Sequence, residues 1–451
     1  MTTDKNHRVS NKDIVNAFYQ EMSSIADACV GCGKCYEVCP ITEDAGLHGR
    51  DSKAITANVK NILKDGEIDD DAKHWAQACV LSGNCISACE YGVNPRLMLT
   101  MARMATKEKT MSPRDRLKNG IDSYNEMATG VRFLSNVQLD ELELGKLGQR
   151  IKTANTKNTS VPDYLFHTGC NVLKTPHIAL LCLDIMDKLS VSYEVKGGPE
   201  SCCGILHYRA GDLKTSSRIS TNTIDQFSQV GTQKVLSWCP TCQVQFTEVA
   251  LPSYQAATKT QPFKMMPFIL FLEEQLTKLK PLLKFEVRKR IALHLHPGVE
   301  GLPEAAKTVL RAVKGVEIVD LQLRELGLMS NSLSSLPELR KDLHRKELEA
   351  AEKAGVDALV AVYHADHREL CAHESGWSFE VINILEIIGE AMGIQRFDQY
   401  KSLKLMQDVN VIIKDLEEKL GSESELLVEA RPLLEKFLLN DQPLPVNRSL
   451  S

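Results

Sequence analysis

Long apolar runs are missing from this chain of 451 residues. The longest, residues 178–183 and 265–272, fall far short of the roughly 18 that a membrane-crossing helix needs. The opening Met-Thr-Thr-Asp-Lys-Asn-His-Arg carries no apolar core of the kind found in a secretory leader. Basic charge is not in excess either: the formal net charge is −5, which gives no electrostatic footing for nucleic acid. No Gly-rich phosphate loop stands in a strand–turn–helix setting, so no nucleotide or flavin site is read. These absences point to a cytoplasmic protein with no membrane span of its own. In a reducing compartment its 14 cysteines are expected to ligate metal rather than pair as disulfides. The length predicts two or three domains.

What is present is cysteine in clusters. Residues 29–40 read Cys-Val-Gly-Cys-Gly-Lys-Cys-Tyr-Glu-Val-Cys-Pro. Three thiols at three-residue intervals, Cys29, Cys32 and Cys35, can converge on one iron–sulfur cube. The fourth, Cys39, followed by Pro40, is expected to serve a second cluster. A second set follows at Cys79, Cys85 and Cys89, with Ser82 where a middle cysteine would complete the same run. Crosswise pairing gives Cys29, Cys32, Cys35 and Cys89 as four thiolates for a [4Fe–4S] cluster. It leaves three, Cys39, Cys79 and Cys85, which suit [3Fe–4S]. A second [4Fe–4S] cluster using the Ser82 hydroxyl, a poorer ligand than a thiolate, is the alternative. The five-residue gap between Cys79 and Cys85 resembles the three-iron site of succinate dehydrogenase and fumarate reductase iron–sulfur subunits. Glu90 departs from the proline those subunits have.

A third constellation comprises Cys170, the adjacent Cys202 and Cys203 followed by Gly204, and Cys239 with Cys242. Separate loops can bring these five sulfurs together, and glycine lets backbone pass close to a bulky group. Residues 202–212, Cys-Cys-Gly-Ile-Leu-His-Tyr-Arg-Ala-Gly-Asp, resemble the cysteine-rich CCG family. That family includes heterodisulfide reductase B subunits and the iron–sulfur subunits of glycolate oxidase and anaerobic glycerol-3-phosphate dehydrogenase. The resemblance implies a noncubane [4Fe–4S] cluster held by Cys170, Cys202, Cys203, Cys239 and Cys242; a zinc site using four of the five is the alternative.

Around the cysteines, helical spacing runs over residues 11–28, 52–63, 71–78 and 96–106, the last with Met98, Met101 and Met104 as a core stripe. Residues 111–150 read as helical and charged, and the polar stretch 153–162 as a boundary. Two lobes of similar plan follow. The first has strands at 164–167, 193–195 and 234–237 with helices at 176–189 and 213–229. The second has strands at 290–294, 316–319 and 358–362 with helices at 303–313, 337–353 and 380–392. Such alternation implies parallel sheets and an α/β architecture. The expected organisation is an α-helical two-cluster ferredoxin module (1–110), a helical linker (111–160), a CCG lobe with the noncubane cluster (161–280), a degenerate second CCG lobe (281–400) and a helical tail (401–451) whose last residues, 441–451, read as disordered.

CCG proteins usually carry the motif twice. Here Gly298 takes the place of Cys170, and Tyr363 and Asp366 those of Cys239 and Cys242, so a second noncubane cluster is not expected. The second lobe offers histidine instead. Strand ends facing one crevice would bring His294 and His296 together with His364, His367, Cys371 and His373, with His294, His296, His364 and His367 the candidate ligands for a mononuclear metal, a haem or an anionic substrate. A decayed site with half-buried polar histidines is the alternative.

The order of modules resembles the D-type heterodisulfide reductase subunit, a fusion of the C and B subunits. The resemblance implies an iron–sulfur electron-transfer subunit of a redox complex. Electrons would pass through the ferredoxin-type clusters to or from a CCG-ligated cluster that acts on a thiol/disulfide substrate. A flavoprotein and a membrane cytochrome are the implied partners, the latter holding the protein at the inner face of the membrane. The alternative is the electron-transfer subunit of a flavoprotein dehydrogenase of glycolate or glycerol-3-phosphate type, without substrate chemistry of its own. No catalytic residue is assigned.

Overall fold

The computed structural model describes residues 9–148 and 160–440. The opening octapeptide, most of the polar stretch 153–162 and the terminal residues 441–451 lie outside the described residues. The chain folds into two compact units. One takes the chain up to Asn125 together with Cys202–Gln233 and Thr241–Met265. The other takes Glu126–Ser201, Lys234–Pro240 and the chain from Met266 onward.

The first unit is helical, and its helices begin where the sequence supplies caps. Ser10 and Asp13 form a capping box ahead of Asn11–Ala28; Asp51, Asp69 and Asn94 cap Ser52–Leu63, Asp70–Ala78 and Pro95–Thr110. Each cap accepts a backbone N–H that the first turn leaves unpaired. Met98, Met101 and Met104 are buried. Later segments complete the unit: Leu213–Ser228 and Leu251–Thr258 pack on the N-terminal helix, and Ile205–Ala210 on Pro95–Thr110. A buried ion pair locks Arg96 to Glu248, with Arg96 Nε 3.3 Å from Glu248 Oε2. Arg96 Nη1 also donates to the Leu81 carbonyl at 3.2 Å.

The second unit is built on two parallel sheets. The strands are β1 (Tyr164–Gly169), β2 (Tyr193–Gly197), β3 (Lys234–Ser237) and β4 (Lys264–Pro267), then β5 (Lys289–His294), β6 (Val316–Val319), β7 (Ala358–Ala361) and β8 (Glu380–Asn383). Their orders are β2-β1-β3-β4 and β6-β5-β7-β8. Both sheets therefore reverse direction between their first and third strands, the point where such sheets open a crevice at the carboxyl ends.

Each sheet holds one strand more than the alternation in the sequence predicts. β4 lies within the apolar stretch that continues into the next helix. β8 replaces the first four residues of the helix expected over 380–392. Asn383 sets that boundary: its side chain accepts the Leu385 N–H at 3.1 Å while Glu386 accepts the Asn383 N–H at 2.7 Å, so the helix Ile384–Met392 starts after it. The stretch 111–150 contains two helices, Pro113–Asn136 and Glu141–Lys146, the second capped by Asp140. The tail folds into short helices whose Ile412, Leu416, Ala430, Leu434 and Leu438 share one apolar cluster with Ala292, Leu359 and Val381 of the second sheet.

The two lobes of this unit are also joined by a buried charge network. The helices Pro176–Lys188 and Ile384–Met392 pack together, and His177 at the start of the first has its ring nitrogens aimed at two different carboxylates. Nδ1 lies 3.3 Å from Asp398 Oδ1 and Nε2 lies 3.7 Å from Glu386 Oε1. His367 Nε2 approaches the other Asp398 oxygen at 2.6 Å. Burial opposes charge on His177, but Asp398 and Glu386 outweigh it and raise its pKa. Burial likewise pulls the Asp398 carboxyl up, yet His177 and His367 outweigh it and hold it well below the usual range. A group with a raised folded pKa stabilises below its unfolded value, near 6.5 for histidine, and loses that contribution as pH rises through the folded value. The carboxylate's contribution is lost instead as pH falls through its own depressed value.

Replacing Asp398 with Asn should therefore cost about 3–5 kcal/mol near pH 6, the usual consequence of removing one partner from a buried pair. The difference in melting temperature between the two proteins should narrow as pH rises past the usual histidine range and His177 deprotonates. A gap that stays constant over that rise would show that charge pairing is not its source.

Candidate metal centres

The described residues include all 14 cysteines, and no disulfide joins any of them. The two sets in the first unit share one local plan. Cys29 and Cys79 each terminate a helix in an extended conformation (ψ 120° and 118°). Gly33 and Gly83, both at φ 84°, then open the short helices Lys34–Glu37 and Asn84–Ser87 that carry Cys35 and Cys85. At Gly33 a side chain is barred twice, by the positive φ and by the Ser52 side chain, with which a Cβ would collide. In this repeat Ser82 occupies the place of Cys32.

The sulfurs cross between sets. Cys29, Cys32, Cys35 and Cys89 line one small apolar pocket, walled further by Thr56, Tyr91, Val93, Pro95 and Met98. Three of these thiols come from the first set and one from the second. Burial pushes the Cys35 thiol up to about 11, and the neighbouring Cys29 and Cys32 add to the shift. Cys85 is raised further by burial and by Cys79 and Cys39 beside it. The Trp75 indole N–H points at Cys39 Sγ, 3.4 Å away, and Arg103 holds the Cys79 carbonyl at 2.9 Å. Four thiols around one apolar pocket, with burial working against a bare thiolate at Cys35, fit a cluster whose iron would supply the missing positive charge.

The five cysteines of the third constellation fall on strand ends and helix starts. In the second unit, Cys170 directly follows β1 and Cys239 lies two residues beyond β3. These strands pair in parallel, with His167 opposite Ser237, so both cysteines leave the sheet at its carboxyl end. In the first unit, Cys202 and Cys203 are buried ahead of the helix Ile205–Ala210. Gly204 N–H points at Cys202 Sγ, 3.4 Å away, and Thr223 donates to the Cys202 carbonyl at 2.8 Å. Cys242 is buried on Pro240–Val244.

The second sheet reproduces these positions without sulfur. Tyr363 and Asp366 lie two and five residues beyond β7, as Cys239 and Cys242 do beyond β3. His294 faces Ala361 across β5 and β7. Here the four histidines singled out in the sequence part company. His294 and His296 meet, their Nε2 atoms 3.0 Å apart, and each lies under 4 Å from Asp366 Oδ1. His367 turns instead to Asp398 and His177. His364 joins neither group; it is buried, and its pKa is driven well below the usual value by that burial and by Arg368 and Lys174, cations that would repel a metal. Cys371 is buried in the apolar cluster beneath the tail, its thiol pushed up to about 12 by desolvation.

Around His294 and His296 the structure adds residues that no local pattern announced. His294 Nδ1 pairs with Glu347 at 2.6 Å, and His296 Nδ1 donates to the Leu326 carbonyl. Ser330 Oγ lies 3.0 Å from His294 Nε2 and 3.1 Å from His344 Nε2. Burial opposes charge on all three rings. Glu347 and Asp366 lift His294 to about 9 nonetheless, whereas His296 is lowered and His344 falls well below its usual value.

Two family models match the chain: a 4Fe-4S dicluster domain over residues 25–93 and a cysteine-rich domain, CCG, over residues 164–247. Among characterised proteins, the D subunit of the dihydromethanophenazine:CoB–CoM heterodisulfide reductase of Methanosarcina barkeri is 22% identical over 400 residues, covering 82% of this chain and 94% of its own length. That of Methanosarcina mazei is 21% identical over 401 residues with the same coverage. The glycolate oxidase iron-sulfur subunit of Escherichia coli is 22% identical over 367 residues, covering 76% of this chain and 89% of its own. Among the described residues no helix is long and apolar enough to cross a membrane. The chain is thus an iron–sulfur electron-transfer protein, a 4Fe–4S dicluster domain followed by a cysteine-rich CCG domain, homologous over four-fifths of its length to the D subunits of heterodisulfide reductases.

Proposed function

We propose that the protein is the iron–sulfur subunit of a heterodisulfide reductase-like complex, passing electrons between a redox partner and a thiol/disulfide substrate at the CCG cysteines. The observation that supports this best is the cavity shared by Cys29, Cys32, Cys35 and Cys89. It matches the crossed ligation of two-cluster ferredoxins, in which one cysteine of each run serves the other cluster. In this reading Cys39, Cys79 and Cys85 hold a [3Fe–4S] cluster, because the fourth place belongs to Ser82. Cys170, Cys202, Cys203, Cys239 and Cys242 hold a noncubane [4Fe–4S] cluster. Bound there, the clusters supply one-electron carriers and an iron site open to sulfur; the chain's own residues set their surroundings. The N–H groups of Trp75 and Gly204 aim at the sulfurs of Cys39 and Cys202 and would stabilise added electron density there. The partners are a flavoprotein and a membrane cytochrome, which would hold the protein at the cytoplasmic face of a membrane.

A second reading, the electron-transfer subunit of a flavoprotein dehydrogenase, draws on the absence of sulfur from the second-lobe positions and on the likeness to the glycolate oxidase subunit. One complete CCG motif is enough for a relay, whereas dividing a disulfide between two clusters needs both.

Air-oxidised protein should show the EPR signal of an oxidised three-iron cluster, and Ser82→Cys should abolish it by completing a four-thiolate site; no such signal in the parent protein would rule the three-iron assignment out. Trp75→Phe should lower the midpoint potential of the cluster at Cys39 by about 20–60 mV, the one-electron equivalent of a hydrogen bond of ~0.5–1.5 kcal/mol. An unchanged redox titration would mean that the indole leaves that sulfur alone. Finally, the isolated complex should reduce a disulfide with methyl viologen as donor. Failure there, combined with a co-purifying flavoprotein that reduces the clusters on addition of a hydroxy acid, would favour the dehydrogenase reading.

A further inference from the structure

The second lobe has lost its cysteines, yet the crevice at its topological switch point is filled by donors that face one another. His294 ends β5 and His296 follows two residues later, so both rings leave the strand on one side. Asp366 comes from the helix His364–Leu370 after the neighbouring β7. Ser330 and His344 approach from the segment between β6 and β7. All five are buried, Asp366 and Ser330 completely.

The cluster is short of protons to share. The Nδ1 atoms of His294 and His296 both face acceptors, Glu347 Oε2 and the Leu326 carbonyl, and so carry the ring protons. In the neutral rings both Nε2 atoms then present lone pairs. They point at each other across 3.0 Å and at Asp366 Oδ1 across 3.9 and 3.8 Å. That oxygen already accepts the Ser330 N–H at 2.8 Å, while Asp366 Oδ2 is buried without any hydrogen-bond partner. The Ser330 hydroxyl has one proton to give, with three imidazole nitrogens within 3.5 Å of it. Protonating His294 adds a single donor and still leaves Asp366 Oδ2 with none. A divalent cation among the two Nε2 atoms and Asp366 Oδ1 would take up the lone pairs that face one another there.

We propose that His294, His296 and Asp366 bind a zinc ion. Ligands about 2.0–2.1 Å from a tetrahedral zinc lie roughly 3.3 Å apart, and the three separations of 3.0, 3.8 and 3.9 Å bracket that edge. The outer contacts are those a metal-bound imidazole makes: one ring backed by a carboxylate, the other by a backbone carbonyl, each fixing the tautomer that leaves Nε2 free. Imidazole and carboxylate suit zinc, and all three donors are buried. The His177 group differs, since its central ring addresses two carboxylates with opposite nitrogens and forms an ion-pair network instead. The zinc would clip the carboxyl ends of β5 and β7 together, the strand ends that correspond to the cysteine-bearing ends of the first sheet. Zinc at this crevice is independent of which redox reaction the clusters serve.

The full-length protein, prepared anaerobically from zinc-supplemented medium, should contain about one zinc per chain. Its zinc X-ray absorption should show only nitrogen and oxygen neighbours, with no sulfur near ~2.3 Å. His296→Gln should lower zinc at least tenfold while iron and acid-labile sulfide stay at parent levels. Should that variant fail to accumulate, Asp366→Asn, which keeps the side-chain shape, should show the same selective loss. Zinc below a tenth per chain in the parent, sulfur in the zinc shell, or zinc retained in the folded variant would each overturn the proposal.

Discussion

Everything in the first unit depends on bringing thiols from two distant stretches of sequence around one apolar cavity. Cys35 lies on the short helix Lys34–Glu37 and Cys89 two residues past Asn84–Ser87, yet they line the same space. Burial makes a bare thiolate costly there, as the raised Cys35 and Cys85 show. Positive charge from a bound cluster would lower that cost and so couple ligation to folding of this unit. The repeated device, a helix ending on cysteine followed by a left-handed glycine and a single helical turn, is what aims the sulfurs inward. It works only because Gly33 and Gly83 can take a conformation that side chains avoid.

Arg96 extends that constraint beyond the ferredoxin-like part. Its guanidinium holds the Leu81 carbonyl within the second cysteine loop. It also pairs with Glu248, which lies on the helical run that begins at Pro240 and carries Cys242. The run bearing the last CCG cysteine is thereby anchored to the loop around Ser82. A planar, permanently charged fork suits this buried position better than lysine would, since it satisfies a carbonyl and a carboxylate together.

The cysteine sets, the two-lobe α/β plan and the strand ends that carry Cys170 and Cys239 were legible in the sequence, because spacing and alternation report them directly. What escaped did so for physical reasons. β4 and β8 are four residues long and run straight into apolar helices, so neither period has room to declare itself; only the capping pair Asn383 and Glu386 marks the second boundary. The histidines were visible, but their grouping was not. His364 and His367 sit on one short helix, yet one faces cations while the other faces Asp398. Glu347, Ser330 and His344 come from a connecting segment whose path over the crevice no local signal encodes.

The two lobes keep a common scaffold and differ in what they place on it. Residues two and five positions beyond the third strand are soft thiolates in one sheet and a phenol and a carboxylate in the other. Soft sulfur selects iron–sulfur clusters, whereas imidazole and carboxylate select single borderline or hard ions. Buried polar groups left unpaired in such a crevice are penalised, and a bound ion would relieve that cost. The histidine after β5, the serine between β6 and β7 and the glutamate behind them form a mutually supporting set, and a set of that sort holds its shape only if each member keeps its partner. On the zinc proposal, the second lobe is a sheet whose crevice takes different chemistry at the same strand ends.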